Sequence, residues 1–141
     1  MEKWVGYAFL SMFFAGFTSV IAKAGLHGIS SELGLTVRTL FVAGFIILFA
    51  AVFVPVSGYQ TLTFQNLLWL GLSGVATALS WVFYYKALKT GSVSTIALID
   101  KGSVLVAIFL AWFFLKEHIT FRTILGASLM ILGLVIIARK A

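Results

Sequence analysis

Ionisable and hydrogen-bonding side chains are scarce in this sequence, and four groups of them stand where they could do chemistry. In Ile96-Ala-Leu-Ile-Asp100-Lys101-Gly-Ser103 an acid and a base adjoin at the head of a long apolar run. A carboxylate held away from water binds a cation or exchanges a proton, unless a base fixes it as a structural ion pair; Lys23, Arg38 and Lys101 are the bases available for that. Ser11, Ala15, Ser19 and Lys23 recur every fourth residue. One helical face is therefore a strip of small residues ending in an ammonium group, which either rims a cavity or snorkels to an interface. Glu32 and Arg38 follow across a short turn, the guanidinium about a turn and a half into the next apolar segment, where it needs either Glu32 or a bound solute as partner. Trp81, Tyr84, Tyr85 and Leu88 share a face at i, i+3, i+4 and i+7. Tyrosines beside Lys86 fit an aromatic belt at a membrane surface; the deeper Trp81, with tyrosine hydroxyls on its face, fits a pocket that stacks on and hydrogen-bonds to an organic solute.

The elements that carry these groups follow from composition. Of 141 residues, 62% are hydrophobic and 10% charged, against roughly 25% charged in soluble domains. A soluble helical protein would keep a polar stripe on each helix, and barrel strands would alternate in segments of about ten residues; these apolar runs do neither. The chain reads as an all-α integral membrane protein. Val104 to Leu115 alone would rise about 18 Å as a helix, short of the roughly 30 Å hydrocarbon core. Its span must reach back past Lys101 and Asp100 to about Ser94, with both ionisable groups inside the membrane and Asp100, Ser103, Ala107 and Ala111 on one face.

Five windows are long enough to cross: Trp4 to Gly25, Leu33 to Val54, Leu67 to Leu88, Ser94 to Leu115 and Phe121 to Ala138. Short connectors with turn and cap residues join them, and Pro55 follows the second span, so no span has a proline kink. The first apolar run reaches Lys23 with no cleavage pattern and is expected to stay as an uncleaved span. Residues 1–141 read as one domain of the cell (plasma or inner) membrane. Five spans put the termini on opposite sides. Lys3, Lys116 and Arg122 flank one face; Lys86, Lys89, Arg139 and Lys140 flank the other, with Lys23 and Arg38 near it. The positive-inside rule favours a cytoplasmic C-terminal face by a slim margin, which leaves insertion in both orientations open.

A net charge of +6 would suggest nucleic acid for a soluble protein, but these bases never cluster and serve as membrane anchors. With no cysteine there is neither a disulfide framework nor a thiolate ligand. His27 and His118 fall in connectors, and the sequence has no His-Glu-x-x-His site, paired acids or phosphate-cradling loop. No catalytic, cofactor or metal site is expected.

The ordered set Ala15-Gly-Phe-Thr-Ser-Val-Ile-Ala-Lys23, Val37-Arg38-Thr, Ser80-Trp-Val-Phe-Tyr-Tyr-Lys-Ala-Leu88, Ile99-Asp-Lys101, Phe114-Leu-Lys-Glu-His-Ile-Thr120 and Ile124-Leu-Gly126-Ala resembles the EamA domain of the drug/metabolite transporter superfamily, from about Gly6 to Ile137. The likeness is to its single-domain, five-helix members. What it implies is outward secondary transport of small organic metabolites such as amino acids, by one half of an inverted-repeat transporter whose cavity is lined by the first, third and fourth helices. On that analogy Ser19, Lys23, Trp81, Tyr84 or Tyr85, Asp100 and Ser103 face the cavity. A single unit gains an inverted repeat by pairing with an oppositely oriented copy, so an antiparallel homodimer with alternating access is expected. Its substrate side chains would be Ser19, Lys23, Arg38, Trp81, Tyr84, Tyr85 and Ser103, with Asp100, Lys101 and Glu32 as coupling or structural ion pairs. The alternative is a non-transporting assembly subunit of a membrane complex, in which Asp100 and Lys101 only lock helices together. A channel would need a more continuous polar lining.

Overall fold

The computed structural model describes residues 3–138 and is helical throughout, in the order α1 (Lys3–Gly25), α2 (Ser31–Phe53), α3 (Val56–Tyr59), α4 (Phe64–Thr90), α5 (Val93–Asp100), α6 (Ser103–Leu115) and α7 (Phe121–Ala138). Glu2, Arg139 and Lys140, the last two counted in the charge balance above, lie outside the described residues. Residues Lys3–Gly25, Ser31–Phe53, Phe64–Thr90 and Val93–Leu115 are long and apolar enough to cross a membrane, and α7 is a shorter apolar helix. In three of those four spans no residue of the most apolar stretch is buried, and in the first almost none is. Apolar side chains all round such a helix need lipid or another chain.

Helix ends follow local chemistry. The Ser30 hydroxyl accepts the Leu33 N–H at 3.2 Å and starts α2; Thr63 and Thr120 do the same for Asn66 and Thr123 ahead of α4 and α7, each at 3.2 Å. Gly28, with φ of 77°, makes the turn between α1 and α2. Val54 turns extended before Pro55 and stops α2. The uncharged segment after it folds one helical turn, α3. Lys116 closes α6 in the left-handed region at φ 54°, with its N–H on the Ala111 carbonyl.

The fourth span departs from the continuous helix expected over Ser94 to Leu115. It divides into α5 and α6 at Lys101–Gly102, where the bonds shorten to i→i−3: Gly102 N to Ile99 O at 2.9 Å, Val104 N to Lys101 O at 3.1 Å and Leu105 N to Gly102 O at 3.0 Å. The span thus carries a 3₁₀-type turn between its two helical parts. A Cβ at residue 102 would lie 2.9 Å from Ile99 O and 3.1 Å from Leu134 Cδ1, so the turn requires glycine.

Internal contacts divide the chain into two compact units. Ile21–Thr90 holds the end of α1 with α2, α3 and α4; α2 packs along α4, and Leu26, Tyr85 and Leu88 form its buried core. Gly34 fits against Leu26, whose Cδ2 would stand 2.3 Å from an added Cβ. The other unit holds the rest of α1 with α5, α6 and α7, and there α5 packs on α7.

Candidate functional site

Within Ile21–Thr90, α2 and α4 bring together several groups that lie far apart in sequence. Arg38 projects from α2 so that its Cζ lies 4.3 Å from the centroid of the Trp81 ring and 5.8 Å from that of Tyr85. Trp81 and Tyr85 are one turn apart on α4, hence on one face. Such stacking is worth about 0.5 to 2 kcal/mol, more as water is excluded. The rings meet the charge but offer no hydrogen-bond acceptor atom to the N–H groups. The Nη1 atom is buried and, among the described residues, has no hydrogen-bond partner. Glu32, one of the two partners expected for Arg38, instead pairs with Lys86 at 4.0 Å and accepts from the Ser31 hydroxyl at 3.0 Å. Glu32 and Lys86 are both more than half exposed, and such a pair contributes no more than about 1 kcal/mol.

Beside this stack a cavity of about 540 Å³ opens between α2 and α4, lined by Thr39, Ser73, Gly74, Thr77, Ala78 and Trp81 among others. Gly71, Gly74 and Ala78 are small residues spaced three and four apart along α4. Here the strip leaves room: an added Cβ at Gly71 or Gly74 meets nothing within 4 Å. The Thr39 and Thr77 hydroxyls each donate at 2.8 Å to the carbonyl four residues back, Leu35 and Ser73, so only their lone pairs remain to offer. The volume suits a small organic molecule.

Lys23 does not stand at the rim of this cavity. Its ammonium donates to the carbonyl of Leu88 and, at 3.4 Å, to that of Lys89. Lys89 reciprocates, donating to Leu26 O at 3.0 Å and Ile29 O at 2.6 Å. Each lysine thus satisfies carbonyls at the C-terminal end of the other helix, where orphan acceptors and the negative pole of the dipole favour a cation. The sequence reading missed this exchange, although a lysine in the last turn of both α1 and α4 was its available signal. Thr39, Ser73 and Thr77 were missed as well, because a lone hydroxyl residue in an apolar helix has no sequence signature that separates lining from packing.

The remaining predicted residues are placed as follows. Tyr85 is buried and Tyr84 half-buried, and it is Tyr85 that stacks on Arg38. Ser19, Asp100, Lys101 and Ser103 belong to the second compact unit. Ser19 is buried, Asp100 is half-buried at the end of α5, and Lys101 and Ser103 are exposed at the tightened turn. No ion pair involves Asp100 among the described residues. A carboxylate at a helix C-terminus meets the wrong pole of the dipole, so Asp100 gains nothing from its own helix.

The EamA-like transporter family model matches residues 2–139. A relative from Sinorhizobium sp., named "Uncharacterized transporter in cobO 3'region", is 31% identical over 140 residues, covering 97% of this chain and 97% of the relative. No solved structure matches. With the family's pattern running through every span and a near full-length relative named as a transporter, the chain belongs to the EamA-like transporter family and is a multi-pass membrane transporter.

Proposed function

We propose that the protein is a secondary transporter that exports a small organic metabolite, such as an amino acid, and that it works by alternating access as an antiparallel homodimer. The observation that carries the substrate part is the 540 Å³ cavity between α2 and α4, walled by Trp81 and flanked by a guanidinium. Trp81 supplies an apolar surface for the solute. Asp100, at a turn that interrupts its span, is the group that couples transport to protons or holds Lys101. The dimer part draws support from spans whose apolar stretches are almost wholly exposed, and from α7, where an added Cβ at Gly126 or Gly133 meets nothing within 4 Å. Small residues at such positions let a second helix approach closely.

Filling the cavity tests the substrate part. Gly74 lines the cavity and has open space at its Cβ position, so Gly74→Phe directs a ring into it. Efflux of tracer solutes from proteoliposomes is expected to fall to the background of empty vesicles while the thermal unfolding midpoint stays near wild type. Unchanged efflux through a folded Gly74→Phe protein would remove the cavity from the transport path.

A further inference from the structure

The cations of Ile21–Thr90 differ in what meets their charge. Lys23 and Lys89 give their hydrogens to carbonyls at the ends of α4 and α1, and Lys86 faces Glu32. Arg38 meets the rings of Trp81 and Tyr85, and its buried Nη1 has no hydrogen-bond partner among the described residues. An arginine does not lose its proton in a protein, so the unanswered charge cannot be removed by neutralisation. The rings meet the guanidinium carbon and leave the buried Nη1 without an acceptor. Trp81 belongs both to this stack and to the cavity wall, so the indole is the element shared by the guanidinium and the cavity.

The cavity's other polar side chains are neutral: the Thr39, Ser73 and Thr77 hydroxyls and the Trp81 indole N–H. Thr39 and Thr77 have spent their hydrogens on Leu35 O and Ser73 O and present oxygen lone pairs. Those lone pairs repel a carboxylate and cannot bind it. Glu32, the acid of this unit, is held by Lys86 and Ser31 and does not line the cavity. The site therefore pairs one positive charge whose Nη1 is unmatched with neutral polar groups and apolar walls.

We infer that Arg38 is the specificity-determining residue of the transported solute, that it reads a single carboxylate, and that a solute lacking that group is not carried. Trp81 and Tyr85 position the guanidinium, and movement of the indole admits the carboxylate to its edge. A dianionic phosphate would need a second cation, and the neighbouring lysines are engaged; a primary amine meets a fixed positive charge. The inference rests on the transporter reading above and names the substrate class of the same cavity.

The test uses purified protein in proteoliposomes and a panel of apolar acids, aliphatic and aromatic, each paired with its primary amide. L-Phenylalanine with L-phenylalaninamide and 3-phenylpropionate with 3-phenylpropanamide are two of the pairs. Wild type is expected to carry acids and not their amides. Replacing the charge in Arg38→Gln is expected to raise KM for the acids roughly 10- to 100-fold, the range for losing a charge-assisted, two-pronged contact. Arg38→Lys, which keeps the charge and loses the fork, falls between them. If amides move as fast as acids, or a folded Arg38→Gln protein keeps the wild-type KM, the Arg38 assignment is overturned and the transporter reading stands. If neither series moves through wild type, the substrate reading itself fails and takes the assignment with it. Should Arg38→Gln not fold, the acid-to-amide ratio of the wild-type protein decides alone.

Discussion

Replacing Lys23 with methionine keeps the length and apolar stem of the side chain and removes its ammonium. The carbonyls it leaves belong to Leu88, whose residue is fully buried, and to Lys89. A charge-assisted hydrogen bond contributes about 1.5 to 3 kcal/mol net, and a buried acceptor left without a partner costs about 1 to 3 kcal/mol. The bond to Lys89 O, at 3.4 Å, is near the limit of hydrogen bonding and adds little. Lys23→Met should therefore lower stability by about 2 to 3 kcal/mol. Lys89→Met leaves the carbonyls of buried Leu26 and half-buried Ile29 without their donor, and should likewise cost about 2 to 3 kcal/mol. Because both lysines tie the same two helix ends, the double variant is expected to lose less than the sum of the singles by at least about 0.5 kcal/mol. Equilibrium unfolding in mixed micelles, followed by tryptophan fluorescence, measures all three. A Lys23→Met protein within about 0.5 kcal/mol of wild type, the scatter of an ordinary surface change, would refute the reciprocal capping. Its selectivity for acids over amides should meanwhile be unchanged, since Arg38 and not Lys23 is assigned that task.

Gly102→Ala drives a methyl group against Ile99 O and Leu134 Cδ1, and backbone cannot give as a flexible side chain can; unfolding measurements should show a loss of about 1 to 3 kcal/mol. Asp100→Asn is expected to abolish the pH dependence of efflux while leaving the protein folded; coupled transport that survives unchanged would end the coupling role of Asp100. Lys116→Gly removes a side chain from a left-handed residue and should raise stability by about 1 kcal/mol, read as a higher unfolding midpoint.

The helices were legible because their signal is redundant: twenty or so apolar residues in a row leave few other structures for the bilayer, and Ser30, Thr63 and Thr120 mark helix starts by cap chemistry that acts within one turn. The division of the fourth span was not, although Gly102 stood in view, because a lone glycine in an apolar run reads equally as a packing residue; it is the approach of Ile99 O and Leu134 that makes it a turn. Arg38 and Trp81 could each be singled out from depth and type. That they meet each other, and that Glu32 goes to Lys86, depends on the register of α2 against α4, which no local pattern encodes. Lys23 shows the other limit: its spacing leaves a cavity rim and an interface anchor both open, and the partner it takes, the Leu88 carbonyl, is a backbone atom that every residue possesses.

The antiparallel homodimer is tested most directly by topology. The chain has no native cysteine, so one can be introduced at His27, in the connector after α1, and in a second protein at Gln60, in the connector after α2. These connectors face opposite sides of the membrane if α2 spans it. Intact cells are then labelled with an impermeant thiol reagent. Partial labelling from outside at both positions is the result this account predicts, because half of the protomers insert each way. Full labelling at one position and none at the other would contradict it, leaving a single orientation and requiring the inverted half to come from a different chain.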